Sequence, residues 1–148
     1  MLSPLQLKGY RFTQLHIEGI PKGIPGGEVE ITTNLGLGRH ESNPRDWRVE
    51  LKVSFGPTAK QDCPYSGYAE VIGFFEVLDG WPEKDSEALI AINGASLLYG
   101  AIREMILMIS ARSSHGEFLI PTVRFSAPEV PVAKKLAKKT AKKIAKGS

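Results

Sequence analysis

Apolar and polar side chains alternate along two neighbouring stretches of the chain. Residues 28–37 read EVEITTNLGL, with Val29, Ile31 and Leu35 on one parity, and residues 47–55 read WRVELKVSF, which alternates throughout. Successive side chains of a strand point to opposite faces of a sheet, so each stretch predicts a strand with one buried and one solvated face. The polar turn GRHESNPRD between the two stretches predicts that they form an antiparallel hairpin.

Two further stretches predict strands with less regular patterns. In residues 5–18, LQLKGYRFTQLHIE, the aromatic residues Tyr10 and Phe12 have the opposite parity to the leucines, which predicts a bulge near the glycine before them. The Pro/Gly-rich residues 19–27 then predict a loop. Residues 65–78, YSGYAEVIGFFEVL, are apolar on both parities, so we expect a strand that is central in its sheet or that exposes apolar surface.

Residues 92–116 predict a long helix that is apolar on every side. Asn93 or Ser96 is expected to cap its start and Gly116 to end it. A helix of this composition cannot leave one face in water, so we expect the sheet to cover one side and a second subunit to cover another. The residues assigned to this homo-oligomer interface, of a dimer or a tetramer, are Leu98, Ile102, Met105, Ile106 and Ile109.

The order of the elements predicts an α+β fold, in which one long apolar helix packs on a four-stranded antiparallel sheet with its strands in meander order. Residues 117–125, EFLIPTVRF, are expected to return as an extended segment, and Pro121 excludes a central strand there. Residues 1–126 form the predicted domain, and residues 127–148 form a Lys/Ala-rich tail that we expect to be flexible.

Charge is divided unevenly between these two parts. Seven of the 19 basic residues are lysines between Lys134 and Lys146, and all 16 acidic residues precede them. Residues 1–133 therefore carry 12 basic and 16 acidic groups, a net charge of −4, whereas the tail carries +7. The sequence pI of about 9.0 is a property of the tail, so the body itself is not expected to be a basic nucleic-acid-binding domain.

Few residues suggest catalytic or metal chemistry. The sequence has no GxxxxGK[S/T] motif for phosphate binding. His16, His40 and His115 are far apart, without a Cys or a carboxylate at metal-ligand spacing, which favours exposed histidines over a metal site. The pair Arg103-Glu104 is interpreted as a snorkelling or interface ion pair rather than an acid–base pair. We predict a protein that is not an enzyme and that uses no metal or cofactor.

The sequence also indicates a cellular compartment. The first residues, MLSPLQLKGY, have no apolar region typical of a signal peptide, and no uninterrupted run reaches the roughly 18 apolar residues of a membrane span. The single cysteine, Cys63, cannot form an internal disulfide, and with no histidine near it in sequence it is a poor candidate for a nucleophile. We expect a soluble protein of the cytoplasm.

Several short motifs follow one another between residues 93 and 125. The helix carries Tyr99 and then Arg103-Glu104, a short polar turn follows at residues 113–117, and the segment LIPTVRF ends at Phe125. In this order the motifs resemble the SecB and SecB-like chaperone family. The opening stretch LQLKGYRFTQLHIE fits the N-terminal strand of that family, so the resemblance covers about residues 5–125.

The resemblance implies an ATP-independent chaperone, or holdase, that assembles as a tetramer and binds unfolded or non-native polypeptides. Its partner would be either the export motor SecA or an unstable antitoxin, and the family's acidic SecA surface is represented in the first strand by Glu18 alone. A client-binding surface is assigned to apolar residues in and around the fourth strand, whose alternative role is ordinary sheet core: Tyr68, Ile72, Phe74, Phe75, Leu78, Trp81 and Leu119.

The tail leaves a second function open. It consists of the units VAKK, LAKK, TAKK and IAKG, and the lysines assigned to an electrostatic role are Lys134, Lys135, Lys138, Lys139, Lys142 and Lys143. The tail is expected to solubilise the protein, to bind nucleic acid or acidic lipid, or to contact acidic clients or the motor. The alternative function is an oligomeric nucleic-acid-associated protein, whose binding would be non-specific and salt-sensitive because the tail has no arginine or aromatic residue.

Overall fold

A computed structural model describes residues 1–58 and 63–127 as a four-stranded sheet with one helical layer. The strands are β1 (Leu5–Gly19), β2 (Val29–Arg39), β3 (Asp46–Pro57) and β4 (Tyr65–Val77). After a 3-10 turn at Glu83–Asp85, the helical segment contains α1 (Ser86–Leu89), a π-helical turn (Ile90–Gly94) and α2 (Ala95–Ser110). The predicted α+β class, an antiparallel sheet packed by one long helix, is confirmed.

The sheet has the order β1-β4-β3-β2, and all of its strand pairs are antiparallel. The predicted hairpin of β2 and β3 is present, but the predicted meander order is wrong for β1, which lies beside β4 rather than beside β2. The Pro/Gly-rich residues 20–28 carry the chain from one edge of the sheet to the other. This placement gives β4 a neighbour on each side, so the first of the two alternatives, a central strand, is confirmed, and β4 also exposes apolar surface at Tyr68 and Phe74.

Alternation in β3 and β4 produces the buried face of the sheet. Alternate residues of β3 from Trp47 to Phe55 and the β4 residues of matching parity face the helix, where they pack with Leu98, Ile102 and Ile106 of α2; the β4 residues are Tyr65, Ala69, Val71, Phe75 and Val77. The other face of β3 carries Arg48, Glu50 and Lys52 and is exposed to solvent. We call the first face the helix side of the sheet and the second the solvent side.

β1 contains two irregularities that explain its mixed pattern. Register shifts occur between Leu7 and Gly9 and between Phe12 and Gln14, so Lys8 and Thr13 are extra residues relative to β4. The first bulge moves Tyr10 and Phe12 to the helix side, where the leucines also lie, and the second returns the strand to its earlier parity. The predicted bulge near Gly9 is confirmed, and its effect is that β1 presents only apolar residues to the helix side.

The helix boundaries differ from the prediction. Helical geometry begins at Glu83, and Asn93 and Ser96 lie inside the helical segment, so neither caps its start. Ser96 instead donates a hydrogen bond from its hydroxyl to the carbonyl of Ile92, at 2.6 Å. α2 ends at Ser110, and Gly116 adopts a positive φ of 76° in the turn that follows. The π-helical turn accommodates the transition between α1 and α2.

The helical segment is also long and apolar. Residues Glu83–Ser110 form a helix that is long and apolar enough to cross a bilayer by length and composition, although no uninterrupted apolar run is that long. About a third of its most apolar window is buried within the chain. The core helix of a soluble protein can have the same length and composition. In this chain, packing on the sheet explains the apolar residues on the inner face of α2.

The segment after the helix covers a second side of α2. The Phe118 amide donates to Ser110 Oγ at 2.8 Å, the Tyr99 hydroxyl donates to the Pro121 carbonyl, and Ile120 is fully buried. The rings of Tyr99 and Phe125 meet edge to face with centroids 6.0 Å apart. Part of the second cover that we expected from another subunit is therefore supplied by the chain itself.

Candidate functional site

The predicted client-binding residues lie in three different places. Tyr68, Ile72 and Phe74 belong to the solvent side of β4, where the two aromatic rings are each 38% exposed and Ile72 is covered. Leu78 and Trp81 follow the end of β4 and are partly buried. Leu119 lies in the segment after α2 and is 57% exposed. One continuous surface through all of these residues does not exist in a single chain.

Phe75 requires a correction. Its side chain faces the helix side, is 1% exposed and packs in the core, so a client cannot reach it while the protein is folded. The reason is parity, since β4 directs Phe74 and Phe75 to opposite faces of the sheet. The core interpretation of Phe75, which the sequence left open beside the client role, is therefore the one that the structure supports.

The predicted oligomer interface is corrected in the same way. Leu98, Ile102 and Ile106 have no exposed surface, because they pack between α2 and the sheet. Met105 is partly buried, and Ile109 remains exposed. A helix that is apolar on every side has no polar face to indicate its orientation, so the sequence could not distinguish the residues beneath it from those outside.

The exposed apolar residues on the helix side form a different set. It combines exposed apolar side chains of β1 that α2 does not cover with exposed apolar side chains of α2 itself. The two elements are neighbours, because α2 contacts β1. We call this set the helix-side surface: Leu7, Tyr10, Leu15, Leu97, Met108 and Ile109. Soluble monomers rarely leave such a surface uncovered unless it binds something.

Leu119 lines a groove between the start of β2 and the segment after the helix. The groove has a volume of about 530 Å³ and is lined by Gly26, Gly27, Glu28, Val29, Thr58, Glu117, Phe118, Leu119 and Pro121. Its apolar wall is rigid, because the Phe118 ring packs on Phe55 and Tyr65 with centroid distances of 6.0 and 5.7 Å. We call it the β2-edge groove, since β2 is an edge strand of the sheet.

The charged residues that line the β2-edge groove within the described chain are both acidic. Glu28 and Glu117 are the only ionisable residues among those that line it in the described part of the chain. The groove therefore combines an apolar wall with negative charge. Val29, the first residue of β2, lines the groove, and the outer edge of this edge strand has backbone groups that can pair with an added strand. This arrangement suits an extended peptide that carries apolar and basic side chains.

The remaining candidates for chemistry take part in contacts that join parts of the fold. Within residues 1–58 and 63–127, no cluster of three or more His, Cys, Asp or Glu residues could hold a metal ion. Cys63 is buried, with its Sγ 3.0 Å from the carbonyl of Tyr65. His115 is partly buried, with Nε2 2.6 Å from the carbonyl of Ile20. Arg103 donates to Thr122 Oγ1 at 3.0 Å, which ties α2 to the segment after it.

The electrostatic tail lies outside the described residues. This applies to Lys134, Lys135, Lys138, Lys139, Lys142 and Lys143. The candidate sites above therefore belong to the acidic body of the protein.

Comparisons with known proteins support the fold. No family model and no curated protein matches the chain. Among solved structures, the SecB-like chaperone of Mycobacterium tuberculosis, in complex with a ChAD peptide from an antitoxin, matches with a TM-score of 0.61 and 16% identity over 80% of this chain and 90% of that chain. A Streptococcus agalactiae protein of unknown function matches with a TM-score of 0.43 and 14% identity, over 80% and 97% of the two chains. The chain therefore has a fold similar to that of a SecB-like chaperone.

Proposed function

We propose that this protein is an ATP-independent chaperone that holds non-native polypeptide segments in its β2-edge groove. The observation that carries the proposal is the position of Leu119, an exposed apolar side chain in a groove beside an edge strand. The fold adds support, because a protein of similar fold has been solved with a bound peptide.

The client would bind as an extended segment beside β2. Its backbone would pair with the open edge of the strand, while its apolar side chains contact Phe118 and Leu119. Glu28 and Glu117 would favour segments with Lys or Arg next to the apolar residues. A groove that binds the unfolded form of a client in preference to its native form keeps it unfolded by mass action, so the cycle requires no nucleotide.

We further propose that a second copy of the chain covers the helix-side surface. Six exposed apolar residues on β1 and α2 form this surface, and burying them would supply the remaining cover for the helix. Self-association would also present more than one β2-edge groove to the same client. Two weak sites on one long client act together, which raises the overall affinity without new contacts.

The natural client in this proposal is either a precursor for export or an unstable antitoxin. Both classes contain extended segments rich in apolar residues while they are unfolded. Peptides from each class can be compared by how well they displace one labelled basic peptide from the groove, and the relative displacement ranks the two classes.

The experiment that tests the proposal is light scattering from a chemically unfolded client diluted into buffer without ATP. We expect the intact protein to suppress aggregation and Leu119→Asp to suppress it much less, because the new carboxylate removes the apolar contact. Tyr68→Ser is the matched control, since it removes an exposed ring from the opposite side of the sheet. Equal suppression by the intact protein and Leu119→Asp would refute the groove as the client site.

A chain stopped after Pro131 separates the body from the tail. If the shortened chain suppresses aggregation as well as the intact one, the groove acts without the lysines. If suppression is lost and single-stranded nucleic acid binds only to the intact chain, the phosphate-binding alternative replaces the chaperone proposal.

A further inference from the structure

The lysine-rich tail carries the two kinds of side chain that suit the β2-edge groove. The groove combines the exposed side chain of Leu119 with the carboxylates of Glu28 and Glu117. Residues 132–146 read VAKKLAKKTAKKIAK, so apolar and basic residues recur together and no acidic residue lies among them. We call residues 132–146 the tail segment.

The carboxylates of the groove are available to bind lysine. Glu28 and Glu117 are exposed, and neither forms an ion pair with a residue of the described chain. On the solvent side of the sheet, by contrast, Glu76 is paired with Lys8 at 3.0 Å. In the groove, unpaired negative charge therefore adjoins an exposed apolar side chain, Leu119.

An extended tail segment would present both kinds of side chain to the groove. Every second residue of a strand faces the same way, with a spacing of about 6.6 Å. One face of the tail segment would therefore carry Val132, Lys134, Leu136 and Lys138 in turn. A shift of four residues restores the pattern of lysines, so more than one register can bind. No proline interrupts residues 132–146, so their backbone can pair with the outer edge of β2.

The tail is long enough to return to the groove of its own chain. Leu119 lines the groove, and the described chain ends eight residues later at Ala127. Eight residues span at most about 28 Å, whereas the 13 residues from Ala127 to Thr140 can span about 45 Å. The second half of the tail segment can therefore reach the groove without a second chain.

We propose that the tail segment binds in the β2-edge groove of its own chain and thereby competes with clients. The proposal rests on the proposed function of the groove, because it assigns a regulator to that same site. An apolar side chain of the tail segment would lie against Phe118 and Leu119, while its lysines would bind Glu28 and Glu117. A client displaces the tail segment, which returns to the groove when the client leaves.

The contact requires only a weak intrinsic affinity. A segment tethered near its site has an effective concentration of about 1 mM. A dissociation constant of about 0.25 mM would then leave about one groove in five open and would weaken client binding about fivefold. Lysine and alanine are unfavourable in strands, which keeps the contact weak enough for a client to displace.

The test is fluorescence anisotropy of a labelled, uncharged ten-residue peptide in which leucines are spaced by serine and glycine. The tail neither attracts nor repels this peptide by charge. We compare the full chain with a chain stopped after Pro131, which keeps every described residue. The stopped chain should bind the peptide about fivefold more tightly at low salt. High salt should remove the difference, because it screens the contact between the lysines and the groove.

Glu117→Lys is the decisive variant, because it should increase binding, which a folding defect cannot do. In the full chain the new lysine repels the tail segment, so the affinity for the uncharged peptide should rise about threefold or more. In the chain stopped after Pro131, the same substitution should leave the affinity within about twofold.

Glu41→Lys is the matched control for this change of charge. Glu41 is exposed and forms no ion pair with a described residue. It follows the end of β2, whereas the groove lies at the start of that strand. We expect Glu41→Lys to leave the affinity for the uncharged peptide within about twofold in both chains.

Three outcomes would overturn the inference. The first is equal binding of the peptide by the full and stopped chains at low salt. The second is an equal effect of Glu117→Lys and Glu41→Lys in the full chain, which would indicate a general attraction between the tail and the acidic body. The third is a weakening that grows with the concentration of the full chain, which would assign the groove to the tail of a second copy.

The chain stopped after Pro131 separates this inference from the proposed function. If that chain binds the uncharged peptide and Leu119→Asp weakens the binding, the groove is the client site whatever the tail does. If Leu119→Asp has no effect in the stopped chain, the proposed function fails, and the tail segment has no client to compete with.

Discussion

Gly73 on β4 faces Leu98 on α2 so closely that a Cβ atom at Gly73 would lie 2.7 Å from Leu98 Cδ2. The same Cβ atom would lie 2.9 Å from Cε2 of the Phe75 ring. The absent side chain is therefore what lets α2 lie against the centre of the sheet. A strand glycine usually weakens a sheet, and here it is compensated by the burial of Leu98 and Phe75.

Replacing Gly73 by alanine is expected to destabilise the protein. The new methyl group must displace Leu98 or Phe75 in a packed core, and overpacking of this kind costs typically about 1–3 kcal/mol. Urea unfolding followed by circular dichroism measures the change. Gly38→Ala is the control, because its Cβ atom has no neighbour closer than 3.9 Å, and we expect unchanged or slightly increased stability. Equal stability of the two variants would contradict the packing argument.

The hydroxyl of Tyr65 should be important for the turn after the helix. It accepts a hydrogen bond from the His115 amide and donates one to the Gly116 carbonyl, both at 2.8 Å. Tyr65→Phe leaves these partly buried backbone groups without a partner, so we expect a loss of about 1–3 kcal/mol in the free energy of unfolding. Tyr10→Phe, at an exposed position, should change stability little. Amide hydrogen exchange should also become faster at residues 113–118 in Tyr65→Phe, and unchanged exchange there would contradict this role.

Self-association through the helix-side surface predicts a change in mass. The double variant Leu97→Glu/Met108→Glu places two charges on the open side of α2, where both residues are exposed in a single chain. We expect the folded variant to sediment as a monomer at micromolar concentrations at which the intact protein is a dimer or a tetramer, because burying unpaired carboxylates is unfavourable. Tyr68→Ser should sediment like the intact protein. A monomeric intact protein would eliminate the proposed assembly.

Alkaline pH should weaken the contact between the helix and the segment after it. Burial raises the pKa of the Tyr99 hydroxyl above its ordinary value of 10.0, an effect that outweighs the opposing charge of Arg103. The folded protein therefore holds this proton more tightly than the unfolded chain, so the stabilisation is complete below about pH 10 and is lost as the pH rises through the folded pKa.

Ultraviolet titration tests this prediction. The difference in tyrosinate absorbance between the intact protein and Tyr99→Phe should appear at a higher pH than the ionisation of an unfolded control peptide. The midpoint of thermal unfolding should also fall over the same pH range in the intact protein, and it should fall less in Tyr99→Phe. A difference spectrum that titrates at the pH of the peptide would show that the hydroxyl is not protected.

The periodicity of the sequence was enough to identify much of the sheet. The alternation in residues 47–55 determined the buried and solvated faces of β3, and the apolar residues on both parities of β4 indicated its central position. The parity change at Tyr10 and Phe12 indicated the first bulge in β1. These features are local, because side-chain direction in a strand follows from residue number alone.

The position of β1 and the orientation of α2 depended on tertiary structure. Residues 20–28 allow β1 to lie beside β2 or to cross to the far edge of the sheet, and the pairing of β1 with β4 selects the far edge. The helix has apolar residues on every side, so its sequence does not indicate which face packs on the sheet. In the structure, Leu98 packs against Gly73 beneath the helix, whereas Met108 lies on the outer face.

The candidate sites show the same division between local and long-range information. Leu119 and Phe74 were identified from sequence as apolar residues with a possible binding role, but they were placed on one surface. The structure separates them, because Phe74 lies on the solvent side of β4 whereas Leu119 lines the β2-edge groove, which combines residues from distant parts of the chain. The sequence by itself determined which side chains are apolar and which strand face they occupy. Only the tertiary structure decided which of them meet, since strand pairing and helix packing bring together residues that no local pattern connects.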